Sequence, residues 1–370
     1  MATSEAPAAV PDVFKPPPGN PRFPLVDSLR AIAALSIFFG HVIFVREGSV
    51  AGVFGGLGAG LTVFFVISGF LLYRPFVAAR LIGRRGPRLS SYVRRRLLRI
   101  VPAYWTALTL VAIYPGLVAP RDHWWVYYGL VQSYIPEMRY GGLPQAWSLS
   151  FESTFYAMLP AIAFAVVLAG RRLDRWHLLA PELAMLASLV LAVVAFELHP
   201  IEALSTPVSL LLWFAVGMAL AVASAVVSEG ALSRPAGLIG RHPGACWSVA
   251  AAFYVAFAFQ PVDQRASFST YVLQAVFAGL LVLPAIFAGE GRHRVHRLLA
   301  HPALAWLGLV SYGIFLWHGP VVTELSETSL GSYGPFNGVL LLAVLSVVLT
   351  VPLAALSYYV VERPLLRFKR

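Results

Sequence analysis

Charge and sulfur are scarce in this chain. Only 12% of its 370 residues are charged, 17 of them acidic, and there is one cysteine, Cys246. A single thiol excludes an internal disulfide, and with no helper motif nearby Cys246 reads as a bland interior residue rather than a nucleophile. Lysine is nearly absent: Lys15 and Lys369 stand among 28 basic residues, the rest arginine. No fixed-period repeat stands out, and no polar stretch is long enough to be a soluble domain. Residues 1–24, rich in Pro and Ala, lack the charged-then-apolar order of a signal peptide and read as a flexible cytoplasmic tail. No metal ion and no bound cofactor are expected.

What is present is hydrocarbon. A hydrophobic share of 58% and a mean hydropathy of +0.73 describe a chain whose solvent is lipid. The net charge of +11 does not point to nucleic acid, because the arginines lie between apolar runs rather than on one exposed face.

Ten apolar windows, near 25–45, 57–79, 100–118, 147–170, 178–198, 206–227, 245–260, 268–288, 303–322 and 336–360, approach the roughly 20 residues a helix needs to cross the bilayer. The expected fold is therefore an all-α, polytopic membrane bundle of about ten transmembrane helices, occupying residues 25–365 and ending in a short basic tail at 366–370. The stretch at 123–135, "HWWVYYGLVQSYI", is short and aromatic, as suits an interfacial or re-entrant segment rather than an eleventh span. With ten spans, 23 basic residues fall on one side and 4 on the other, which predicts both termini in the cytoplasm and a multi-pass protein of the plasma membrane.

Charged groups inside spans cost about 2.5 to 3.5 kcal/mol each, so they are functional suspects. The first span, "VDSLRAIAALSIFFGHVIFV", carries Asp27, Arg30 and His41. Asp27 has a structural explanation in pairing with Arg30 one turn on. Arg30 and His41 are eleven residues apart, almost three turns, so they share one helix face about 16 Å apart along the axis. Counting along the spans places His41, Glu152 and His318 in one band, roughly 6 to 8 Å below the outer surface. A carboxylate there would fix the imidazole tautomer, as a general base requires. Arg96 and Arg99, one turn apart where the third window begins, suit a phosphate-bearing ligand arriving from the cytosol. The rest of the basic run at 80–99 is explained by attraction to anionic lipid headgroups.

These pieces resemble the acyltransferase-3 type of membrane O-acyltransferase. "LVDSLRAIAALSIFFGH" supplies an Arg-x10-His as Arg30 and His41. "VFFVISGFLL" supplies Ser68, "RRRLLRIVPAYW" supplies Arg96 and Arg99, "WSLSFESTFY" supplies Trp147 and Glu152, and "LGLVSYGIFLWHGP" supplies His318. They occur in the family's order across residues 25–365. Two departures are plain: Ser153 stands where a second acid is common after Glu152, and Ser28 follows Asp27 where glycine is usual. The extra extracytoplasmic domain of some members is not expected here.

The resemblance implies transfer of an acyl group from acyl-CoA, a co-substrate rather than a bound cofactor, to a hydroxyl of a sugar-containing acceptor. Phosphates would lie near Arg96, Arg99 and Arg30. His41, oriented by Glu152, would act as base, with a covalent acyl-histidine left open. Asp27, Ser68, Trp147 and His318 are candidate supporting or substrate-binding residues; for Ser68, helix packing is favoured over an oxyanion contact. An arginine- and alanine-rich composition is common in GC-rich genomes, where family members modify antibiotic macrolide sugars as well as surface glycans. The alternative is a transporter or flippase for a glycolipid or small solute, using the same polar groups as a path. Against it, no paired set of Gly/Pro-broken helices occurs in two halves of the chain.

Overall fold

A computed structural model of the chain describes residues 23–369, apart from 49–51, 117–122, 171–178, 199–201, 229, 231, 262–263, 265–266, 288–293 and 329–337. The expected tail through residue 22 lies outside the described residues, as do Arg121, Arg265 and Arg370. Among the described residues there is no strand. The helices are α1 (Pro24–Glu47), α2 (Gly60–Leu81), α3 (Leu89–Ile113), α4 (Trp124–Tyr128), α5 (Trp147–Ala169), α6 (Leu179–Leu198) and α7 (Glu202–Ser228). They continue as α8 (Ser233–Arg241), α9 (Pro243–Ala258), α10 (Phe268–Phe287), α11 (Arg294–Leu299), α12 (Pro302–Leu309), α13 (Ser311–Glu327) and α14 (Val339–Ser357).

Among the described residues, seven segments are long and apolar enough to cross a membrane; α12 and α13, bent by 68° about Val310, add an eighth as one broken span. The other two expected windows hold α6 and the 16-residue α9. The chain is thus an all-α, multi-pass membrane protein.

Small residues set the packing. Transmembrane helices gain little from burying apolar surface against one another, so close backbone approach and dispersion carry the association. At the α2–α7 crossing a β-carbon on Gly69 would strike the Phe214 carbonyl, and one on Gly217 would strike that of Val66. The same crossing buries Arg74, whose guanidinium donates to Ser224 Oγ and Ser228 Oγ, each at 3.0 Å. That arginine is accounted for structurally. Helix α1 begins with Pro24 in its first turn, where the missing N–H costs nothing, and ends on Gly48 at φ 69°, whose N–H caps the Phe44 carbonyl. It is gripped along its N-terminal half: Gly308 of α12 fits against the Asp27 carbonyl, and Gly60 of α2 against that of Ala33. Ser28 donates from its hydroxyl to the Leu299 carbonyl, tying α1 to α11.

The aromatic stretch after α3 is no eleventh span. It forms the single turn and a half of α4 and three short 3₁₀ turns, Gln132–Tyr134, Pro136–Met138 and Pro144–Ala146. Irregular backbone inside a bilayer must be satisfied within the protein. Accordingly Tyr104 of α3 donates to the Tyr127 carbonyl at 2.8 Å, Ser133 to that of Trp147 at 2.6 Å, and Gln145 to that of Leu316 at 2.7 Å. Gln132, Ser133 and Gln145 are all buried. The segment is therefore wedged between α3 and α13, and α5 begins where it ends.

Candidate active site

Two cavities share the face of α1 that carries Arg30 and His41. The first, about 80 Å³, is lined by Arg30, Arg96, Arg99, Ser68, Glu152 and Tyr156, with Tyr312 and apolar side chains completing the wall. Within it Ser68 Oγ donates to a Glu152 carboxylate oxygen at 2.7 Å, and the Tyr156 hydroxyl donates to the same oxygen. Arg96 lies over the Tyr156 ring, its Cζ 5.8 Å from the centroid. Three guanidiniums therefore face one carboxylate. The Nε atoms of Arg30 and Arg96 are buried without a hydrogen-bond partner. Unspent cationic donors in a confined space favour an anion, because leaving them unpaired costs desolvation energy that an incoming phosphate returns.

The second cavity, about 700 Å³, is lined by His41, Trp147, Gln145, Tyr140, Gly40 and Gly319 among mostly apolar neighbours. Leu61, Ser148 and Phe315 line both cavities, so the two meet along one wall.

His318 is buried against His41, and the hydrogen bonds of the two rings fix where their protons lie. A backbone carbonyl only accepts, so His318 Nδ1, 3.1 Å from the Ile314 carbonyl, carries the hydrogen. In a neutral ring His318 Nε2 is then the acceptor. Its neighbour at 3.3 Å is His41 Nδ1, which is also 3.0 Å from the Ile37 carbonyl. Both contacts demand a hydrogen on His41 Nδ1 and leave the lone pair on His41 Nε2. That is the form a general base needs.

The arrangement corrects the expectation that Glu152 orients His41. The carboxylate belongs to the arginine cavity, and the imidazole is set by a second imidazole. A start of α5 at the membrane surface is what would bring Glu152 level with His41; the segment at 123–146 instead carries the start of α5 inside the bundle. Glu152 and Tyr156 consequently fall level with the N-terminal part of α3, where the Tyr92 hydroxyl donates to the Tyr156 carbonyl at 3.0 Å. His41 and His318, which the count along the spans puts in one band, lie in contact.

The remaining candidates divide between support and lining. Asp27 packs its carbonyl against Gly308 and acts on Arg30 through its charge. Ser68 is committed to Glu152, and the close helix contact expected of Ser68 is made by the next residue, Gly69. Trp147 lines the His41 cavity. Three further residues take part. Tyr156 was legible in principle, four residues after Glu152 and hence on its helix face. Tyr312 and Gln145 had no local signal. No cluster of three metal-binding side chains occurs among the described residues.

Comparison with known proteins gives a family. Residues 24–359 match the family described as "Acyltransferase domain". The chain is similar to the exopolysaccharide production protein ExoZ of Rhizobium meliloti (strain 1021), 28% identical over 320 residues that span 84% of this chain and 89% of the relative. It is similar also to the peptidoglycan O-acetyltransferase OatA of Listeria monocytogenes, 23% identical, and to the putative peptidoglycan O-acetyltransferase YrhL of Bacillus subtilis, 26% identical. The matches cover 92% of this chain in each case and span about half of the two relatives, 55% and 54% of their lengths. No solved structure matches.

Proposed function

Because the chain belongs to the Acyltransferase domain family, we propose that this membrane acyltransferase moves a short acyl group from acyl-CoA to a sugar hydroxyl. The acceptor class that fits best is a surface glycan, since the named relatives act in exopolysaccharide production or on peptidoglycan; a glycosylated natural product presents the same hydroxyl. In this reading the Arg30 end of α1 faces the cytoplasm and the His41 end faces the far side of the plasma membrane.

The observation that carries the proposal is the common wall of the two cavities. A phosphorylated, extended donor held by Arg30, Arg96 and Arg99 has its chain directed along α1 toward His41, about 16 Å away at the helical rise. His41 Nε2 takes the proton of the acceptor hydroxyl as its oxygen attacks the thioester carbonyl. The resulting imidazolium keeps its Nδ1–H on Ile37 and His318, and returns the new proton to the departing CoA sulfur. Ester and free thiol are the products, and the histidine ends as it began. General acid–base help of this kind is worth about 10²- to 10⁴-fold in rate.

The test is stoichiometric. Purified protein in proteoliposomes, given isotopically labelled acetyl-CoA and a glycan acceptor, should release one CoA thiol per acyl ester formed, read by thiol titration and mass spectrometry. Movement of a labelled solute with no thiol release would show a transporter instead.

A further inference from the structure

The arginine cavity is too small for its proposed ligand. At about 80 Å³ it falls below the roughly 300 to 1,000 Å³ usual for small-molecule sites. It can accept phosphoryl oxygens and an extended chain, but not a nucleoside. Acyl-CoA carries charge in two places: a pyrophosphate, and a separate 3′-phosphate on the ribose that bears adenine.

A third cavity, about 800 Å³, neighbours the first across the Tyr92–Tyr156 contact, with Tyr92 lining it and Arg96, one turn on in α3, lining the first, and it contains the chemistry the first lacks. It is lined by Arg80, Arg84 and Arg85 at the end of α2, and by the aromatic side chains of Tyr73, Tyr92 and Phe164. Tyr92 joins the two spaces: it lines the larger one and donates its hydroxyl to the carbonyl of Tyr156, which lines the smaller. Arg80 is hydrogen-bonded to Tyr73. Arg84 and Arg85 are exposed, yet their backbone is not loose. Gly83, at φ 65°, closes α2 with two carbonyl bonds: its own N–H to Arg80 at 3.0 Å, and the Arg84 N–H to Ala79 at 2.7 Å. That paired cap fixes the direction in which the loop leaves the helix, and only glycine holds its left-handed turn without penalty.

We propose that this cavity binds the adenosine 3′,5′-bisphosphate portion of the acyl donor, with Arg84 and Arg85 on the 3′-phosphate and the aromatic wall against the purine. The proposal rests on the acyl-CoA reading above and adds the site that recognises the nucleotide. An anionic lipid headgroup presents the same phosphate chemistry, but it needs only charges at a surface. This site also has the buried aromatic rings of Tyr73 and Tyr92 in its wall and adjoins the arginine cavity through Tyr92 and Tyr156, an arrangement that suits one ligand reaching both.

The experiment compares acetyl-CoA with acetyl-dephospho-CoA, which lacks only the 3′-phosphate, for the wild-type protein and the R84A/R85A variant. The wild type should prefer acetyl-CoA by about tenfold or more in KM, the usual value of a lost hydrogen bond to a charged group. In R84A/R85A that preference should vanish, with kcat kept. A preference left intact in the variant overturns the proposal. Repeating the assay in vesicles of neutral phosphatidylcholine and in vesicles containing phosphatidylglycerol separates the two phosphate sources. If anionic lipid alone changes the wild-type rate, and R84A/R85A removes only that response, the site holds a headgroup and the proposal fails. Calorimetry with adenosine 3′,5′-bisphosphate is independent of turnover. Binding that depends on Arg84 and Arg85 in a protein that releases no CoA thiol would uphold the nucleotide site and refute the transferase reading.

Discussion

His318 sets His41. Their rings stand edge to face, centroids 4.9 Å apart at 61°, with His318 Nε2 3.3 Å from His41 Nδ1. Each ring also holds a carbonyl one turn back in its own helix. The Ile37 carbonyl and His318 Nε2 therefore act together on His41 Nδ1, and α13 reinforces a tautomer that α1 already favours.

Replacing His41 with Ala should lower acyl transfer by about 10²- to 10⁴-fold, the range of a lost general base. Donor affinity and the thermal melting curve should change little. Turnover close to wild type would remove His41 from the chemistry.

His318→Ala should act more mildly. His41 Nδ1 keeps the Ile37 carbonyl, so the loss corresponds to about one neutral hydrogen bond, or several-fold in kcat, with KM for the donor unchanged. A loss as large as that of His41→Ala would mean that His318 itself handles a proton in the reaction.

Arg96→Ala and Arg99→Ala should raise KM for acetyl-CoA by about tenfold or more each, with a smaller effect on kcat, because each contributes a charge-assisted contact. Steady-state kinetics over a range of donor concentration decides it. A pure kcat effect would move the arginines away from the donor.

Glu152→Ala should destabilise the protein by about 1–3 kcal/mol, since it orphans the Ser68 and Tyr156 hydroxyls that share its carboxylate oxygen. Glu152→Gln retains an acceptor oxygen for both hydroxyls and should cost clearly less. Melting in detergent, read by intrinsic fluorescence, measures both. Equal effects of the two substitutions would mean that charge alone matters there.

Gly217→Val inserts side-chain atoms where α7 meets the Val66 carbonyl of α2. Overpacking of this kind costs about 1–3 kcal/mol, and a collision with backbone belongs at the upper end. The same melting assay should show the loss, and an unshifted melting temperature would mean that the crossing can open freely.

The sequence determined on its own what depends on composition and helical period. Apolar windows specified helices because a bilayer offers backbone groups no other partners. The eleven-residue interval between Arg30 and His41 put guanidinium and imidazole on one face of α1 because the helical pitch is fixed. Tertiary structure alone decided which side chains meet. Glu152 joined the arginines instead of His41 because the segment at 123–146 reaches into the bundle and carries the start of α5 with it, and the depth of an irregular segment has no periodicity to read. For the same reason the arginines at 80–85 read as a surface run, although a capped turn and the neighbouring α3 and α5 make them one wall of a cavity.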